Sequence, residues 1–381
     1  MARTKPHGKK STKSKKSAKN GSSKMSPEQM LAEATTLLHT SQPEEALVKA
    51  RHALAQLQPD TDSPPNAAAL PAISLLGEIN VELGDAETAR DYFLVAAALD
   101  EDGSVPESQG GGAEKFLWLA QLCDEGGAES VAWFQKGVEV LRREIGEWES
   151  RPNSEEKTLA LDEKKRKLAN ALCGVVEVYM TDLSWEEDAE QRCEALITEA
   201  LLIHPNCPES LQTLASVRIS QLRHEEARTA LNMSMDLWKD LKPEDPKVPD
   251  FPVRISLARL LMEAEMEDEA IEVLERLVLE DDSSIEAWYL GGWCLHLMAE
   301  KKKDSEDAET IKGLLKTSRD WLTNSLRLYQ MLEYEDERLQ DHATELVEEL
   351  NKILGPPVEG EEDFEEWEDD ESVEDEDMEG T

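Results

Sequence analysis

The sequence predicts an all-α chain, a superhelical solenoid of about seven helical hairpins closed by a C-terminal capping helix. Three observations carry that prediction. A small residue, an Ala twelve positions later and a large apolar residue four beyond it recur as Gly77, Ala89 and Phe93, as Ala215, Ala227 and Leu231, and as Ala258, Ala270 and Leu274. Elsewhere apolar residues follow helical spacing, as in Leu161, Leu168, Leu172, Val175 and Tyr179. Hydrophobic residues make up 39% and aromatics 5% of the 381 positions, which suits a thin, elongated core better than a compact one.

Each hairpin has its own residues. A small residue on a first helix and an Ala on a second let two helices cross closely, and the large residue one turn on fills the groove beside them. The first hairpin carries a weaker copy of the pattern in Ala34, Ala46, Ala50 and Ala53. The second runs from Leu76 to Phe93 and the third from Glu114 to Leu141, where Gly126-Gly127 makes a shortened turn. The fourth spans about Leu159 to Ile203, and Pro205 precedes the fifth, Leu211 to Trp238. Lys242–Asp250, KPEDPKVPD, holds three prolines that forbid a continuous helix, so it is a loop before the sixth hairpin, Val253 to Leu279. The seventh places Trp288 and Gly292 on one helix and Trp321, Leu322 and Ser325 on the next, across a long charged loop, Lys301–Thr310. Asp336–Leu354 is the cap, with Leu339, Leu346, Leu350 and Ile353 on one stripe and Gly355-Pro356 ending it.

The second hairpin, LGEINVELGDAETARDYF, resembles the tetratricopeptide repeat, a helix–turn–helix unit of about 34 residues. Leu76, Gly77, Gly84, Ala89, Phe93 and Ala96 fall on its signature positions.

Charge sets the class of partner. There are 83 acids against 41 bases, a net charge of −42. Residues 1–24 hold nine bases and no acid, whereas fifteen of the 24 residues from Val358 to Thr381 are acidic and none is basic. The expected division is therefore a disordered basic segment at 1–24, a repeat domain at 25–355 and a disordered acidic tail at 356–381. Residues 25–357 alone carry 68 acids against 32 bases. Such a field repels phosphate backbones and anionic membranes and attracts basic proteins, so the folded domain is expected to bind neither nucleic acid nor membrane directly. No apolar run approaches the roughly 18 residues of a membrane span, and five scattered cysteines fit a reducing compartment. The expected location is cytoplasm and nucleus, with Lys9–Lys16 as an import signal and an import receptor as its partner.

Nothing in the sequence assembles a catalytic site. Gly110-Gly111-Gly112 is followed by AEK rather than the Gly-Lys-Ser/Thr of a phosphate loop, and reads as a flexible loop. His204 and Cys207 lack a second His/Cys pair for a metal. No nucleophile motif is present, and a repeat array offers a groove. The reading is a binding protein without catalytic residues, cofactor or metal.

In hairpin repeats of this kind the first helices line the concave face. That selects Glu78 and Glu82, beside Ser74, in the second hairpin, and Met262 and Glu263, beside Arg259, in the sixth. Asp124 and Glu125 of the third, Glu177 of the fourth and Trp293 of the seventh join them. Eight tryptophans are expected in core or inter-repeat packing. The ninth, Trp367, stands with Phe364 in the acidic tail as EEDFEEWEDDE, where an aromatic can stack on Arg while carboxylates steer.

GGAEKFLWLAQLCDEGG (Gly111–Gly127), the repeat at Leu76, the proline loop and the Trp-containing acidic end together resemble the fungal dedicated assembly chaperones of large-subunit ribosomal protein four. The resemblance covers most of residues 28–381. It implies a partner that is a newly made, highly basic ribosomal protein, shielded from aggregation and nucleic acid and escorted to nuclear pre-60S particles. Two other classes stay open: a general scaffold co-chaperone of heat-shock proteins and an acidic histone chaperone. The first would require Lys, Asn and Arg at inward positions where this chain mostly has acids.

Overall fold

A computed structural model describes residues 25–60 and 64–356. Lys9–Lys16, Phe364 and Trp367 lie outside the described residues. The described chain is helical, without a strand: α1 (Pro27–His39), α2 (Pro43–Leu57), α3 (Leu70–Glu82), α4 (Ala86–Leu99), α5 (Glu114–Gln121), α6 (Gly127–Glu149), α7 (Glu155–Met180), α8 (Ala189–Ile203), α9 (Pro208–Ser220), α10 (His224–Asp236), α11 (Phe251–Glu263), α12 (Glu267–Glu280), α13 (Ile285–Lys302), α14 (Ala308–Met331) and α15 (Glu337–Leu354). They pair in sequence as seven hairpins followed by a single last helix, as the fold class predicts. The chain divides into two compact units between Arg143 and Glu144, inside α6.

The repeated triplet fixes each crossing. A Cβ on Gly77 would lie 2.6 Å from the Phe93 ring, and one on Gly292 2.6 Å from Leu322 Cγ, so neither helix could keep its distance with a side chain there. Phe93 has no room to retreat, being 1% exposed and stacked on Trp118 at 6.2 Å between centroids. Hydroxyls fasten the same hairpins at equivalent points. Ser130 Oγ donates to the Ala120 carbonyl (2.7 Å) and Ser318 Oγ to that of Gly292 (2.7 Å). One turn or two further along the second helix, Ser234 Oγ donates to Pro208 O (3.1 Å) and Ser325 Oγ to Ile285 O (3.0 Å), each at the start of the first helix. Small residues thus allow close approach and buried hydroxyls use the backbone oxygens that it brings within reach.

In the first unit the glycine loop is packed rather than free. Gly110 and Gly112 have φ of 78° and 85°, a Cβ on Gly110 would meet Pro71 Cα at 2.5 Å, and one on Gly111 would meet Val105 O at 2.0 Å. Ser74 Oγ donates to Gly110 O (2.7 Å). Lys115, 2% exposed, holds the base of the loop: its Nζ is 2.7 Å from both Asp100 Oδ2 and Gly112 O. Asp100 Oδ1 in turn accepts from Val105 N (3.1 Å).

In the second unit α7 begins at Glu155, a turn before the expected Leu159, capped by the Ser154 hydroxyl. The long loop expected at 301–310 shrinks to five residues, because α13 runs to Lys302 and Asp307 caps α14 through its bonds to Glu309 N and Thr310 N. Lys301 and Lys302 are drawn into α13 by ion pairs to Glu267 and Asp268 of α12, each at 2.7 Å. The proline loop does separate the fifth and sixth hairpins, and Arg254 anchors its end through Pro249 O (2.9 Å) and Glu280 (2.8 Å). On α15 the buried stripe is Leu339, Ala343, Leu346 and Leu350, while Ile353, on the same stripe but in the last turn of the helix, is 53% exposed. Trp185 is also no core residue: it is 77% exposed in the α7–α8 connection.

Two stability changes follow. Gly77→Ala should cost about 1–3 kcal/mol in denaturant unfolding, although Ala is the better helix former by about 1 kcal/mol. Asp100→Asn, which strands a buried ammonium, should cost about 3–5 kcal/mol, measured the same way.

Candidate functional site

The crossing register decides which side chains the first helices present. Gly77, Ala120, Val176, Ala215, Ala258 and Gly292 occupy the crossing positions and are all buried. The residues that follow them are Glu78, Gln121, Glu177, Ser216, Arg259 and Trp293, and none of these is buried. One helical step thus turns from core to open face in six hairpins. Only one of the six is basic, and Arg259 is already paired with Glu286.

Glu82 and Glu263, five residues beyond the crossing residues Gly77 and Ala258, end α3 and α11 and are exposed. Met262, the residue before Glu263, is not available. It is 8% exposed and belongs to the core of the second unit, with Leu261 and Met266. The corresponding residues of α9 and α13, Ile219 and His296, are buried too, at 8% each, whereas those of α3 and α7, Val81 and Met180, are half-buried. Asp124 sits at that same step in the third hairpin, beyond the end of α5 at Gln121, and is exposed. Asp124 and Glu125 are therefore exposed turn residues. Asp124 lies 3.5 Å from Arg90, which also approaches Glu129 at 3.9 Å. Ser74 is engaged by the glycine loop, as described above.

Glu177 has a different environment from the other acids. Its side chain is exposed, yet desolvation by the surrounding protein holds its carboxyl above the ordinary value of 4.5. The cause is the protein that flanks this carboxylate and displaces part of its water. Around it α7 and α9 pack side by side. Cys173 Sγ, one turn before Glu177, donates to Ser210 Oγ (3.5 Å), and Cys207 Sγ donates to Asn170 Oδ1 (3.3 Å) and Glu209 Oε2 (3.1 Å). Burial, then the Glu209 carboxylate, pushes the Cys207 thiol up to about 12, far from reactive thiolate chemistry. The His204 imidazole lies 3.4 Å from Asp162.

Gln212 of α9 is missed by charge-based reading. It is 5% exposed, and its Nε2 has no hydrogen-bond partner. Equivalent positions carry Ser74, Leu117, Cys173, Ile255 and Tyr289, a mixed column that gives no signal for it.

Trp293 is half-buried and lies between α13 and α15. Its ring is 6.0 Å from Tyr289 and 5.1 Å from His342, edge to face with the latter, and Tyr289 Oη is 2.7 Å from His342 Nδ1. Among the described residues no group of three His, Cys, Asp or Glu could hold a metal ion, and no helix is long and apolar enough to cross a membrane.

Three of the proteins to which this chain is similar bear on its family. A protein of Emericella nidulans described as "Probable assembly chaperone of rpl4" is 50% identical, over 100% of this chain and 95% of its own. One of Schizosaccharomyces pombe with the same description is 36% identical over 80% of this chain and 87% of its own. The solved structure of an "Assembly Chaperone of RpL4" is 54% identical, with a TM-score of 0.64, and covers 74% of this chain and 99% of that one. No protein-family model matches.

The Glu177 carboxyl yields a pH test. A carboxyl whose folded value is raised binds its proton more tightly folded than unfolded, so it costs stability as pH rises above 4.5 and costs nothing well below it. Glu177→Gln should raise the melting temperature at pH 8 and leave it unchanged at pH 4, by calorimetry at both.

Proposed function

This chain belongs to the family of assembly chaperones of rpl4, and from that premise we propose that it is a dedicated chaperone for the basic large-subunit ribosomal protein four. It binds the newly made protein, keeps it soluble and escorts it to nuclear pre-60S particles, acting in cytoplasm and nucleus without catalysis. An import receptor recognises Lys9–Lys16 on the way.

The observation that carries this reading is the residue set turned outward by the crossing register. Glu78, Gln121, Glu177, Ser216 and Trp293 offer carboxylates, amide, hydroxyl and an aromatic ring, and the one cation of the series is neutralised by Glu286. In each unit these first-helix faces suit a basic segment of the cargo. Carboxylates take its Lys and Arg side chains, and apolar contacts beside Trp293 supply selectivity. The acidic tail, with Phe364 and Trp367, raises the encounter rate. A heat-shock scaffold needs the opposite sign at these positions in order to hold an acidic C-terminus. Release follows from the same chemistry, since ribosomal RNA phosphates compete for the same guanidinium and ammonium groups.

Titration of the full chain with ribosomal protein four tests the reading. Affinity should fall about tenfold or more between low and high salt, and Glu78→Lys combined with Glu82→Lys should weaken it at every salt concentration. Deletion of 358–381 should mainly slow association. Affinity unchanged by salt and by the reversal would overturn the role of the first-helix faces.

A further inference from the structure

Helix α14 has the opposite charge to most of the chain. Lys312, Lys316, Arg319 and Arg327 stand there against Glu309 and Asp320, which makes it the most basic of the described helices, while α15 beside it is acidic. Spacings of four and three put Lys312, Lys316 and Arg319 in one stripe. Arg319 is 7% exposed and its Nη1 donates to Gly355 O (3.2 Å), so the chain leaves α15 against the inner end of this stripe. Further along, Lys316 is half-buried and Lys312 is exposed, with no ion-pair partner for Lys312 among the described residues. About 10 Å of helix separates Arg319 from Lys312. Beyond Lys312, Asp304, Glu306, Asp307 and Glu309 make the start of the helix acidic, and the basic stripe ends there.

Glu359, Glu361, Glu362 and Asp363 follow Gly355 by four to eight positions, and extended chain at about 3.4 Å per residue reaches past Lys312 over that length. We propose that these first acids of the tail dock on Lys312 and Lys316 in the free chain, and that a basic cargo draws them off. Two lysines meet only the first few of the fifteen acids between Val358 and Thr381, so the rest of the tail keeps its charge for the encounter. Each ion pair is weak in water. Attachment a few residues away supplies the effective concentration at which the contact forms, and a cargo with many more cations displaces it. The docking stands apart from the function proposed above, and only the release rests on that reading.

Two measurements on the full chain at low salt test it. In digestion with an endoprotease that cuts after glutamate, Lys312→Gln combined with Lys316→Gln should speed the cuts after Glu359, Glu361 and Glu362 about fivefold or more. The cut after Glu371 should keep its rate, and Lys312→Arg with Lys316→Arg, which retains both charges, should digest like the wild type. Melting curves separate loss of the contact from loss of the fold. Carbodiimide coupling, mapped by mass spectrometry, should join Lys312 and Lys316 to the acids of 359–363 within one chain, and added ribosomal protein four should replace those links with links to its own lysines. Equal cutting in the wild type and the Gln variant overturns the docking. So do links found only between chains, which an equal mixture of isotope-labelled and unlabelled protein reveals. Links that persist unchanged in the complex with ribosomal protein four overturn the release. Failure of the wild-type chain to bind that protein overturns the proposed function, and the release with it, but not the docking.

Discussion

The close crossing of paired helices at a small residue is the constraint on which the other features depend. Where Gly77 meets Phe93, or Gly292 meets Leu322, there is no space for a Cβ without a shift of the partner. That contact sets the rotation of each first helix, and rotation decides which side chain is buried and which is presented. Glu78 follows Gly77, Glu177 follows Val176 and Trp293 follows Gly292; each is turned outward by one 100° step from a position with no freedom to move. Surface chemistry is in this sense a product of core packing.

Acidity then acquires a structural meaning. A net charge of −42 spread at random would only keep the chain soluble. Many acids are consumed internally: Asp100 by Lys115, Glu280 by Arg254, Glu267 by Lys301, and Glu194 by Arg218 and Arg223. The acid that follows a crossing residue and has burial as the only cause of its raised carboxyl, Glu177, is therefore the informative one. Its surroundings disfavour its charge and offer nothing in return.

Much of this was legible in the residues. Spacings of twelve and four located the hairpins, and three prolines located the loop at 242–250. What periodicity alone missed has physical causes. Met262 reads as open by analogy with Glu263, but it packs into a core shared by residues of several successive helices, which no pattern within one repeat contains. Gly110-Gly111-Gly112 reads as a free loop, whereas its glycines are needed for close backbone packing against Pro71 and Val105, and Lys115 is buried to hold it. The seventh hairpin's charged stretch reads as a loop because its lysines lack apolar periodicity; ion pairs to α12 keep them helical. Gln212 stands in a column that mixes polar and apolar residues, and only burial reveals that its amide is unsatisfied.

The central claim, that first-helix faces built by this register serve one basic ribosomal protein, is tested most directly by gentle affinity purification of the chain from its own cells, followed by mass spectrometry of partners at near-equal abundance. Ribosomal protein four as a single stoichiometric partner is the predicted result. Heat-shock chaperones or histones in its place would contradict the account of function while leaving the helical architecture untouched.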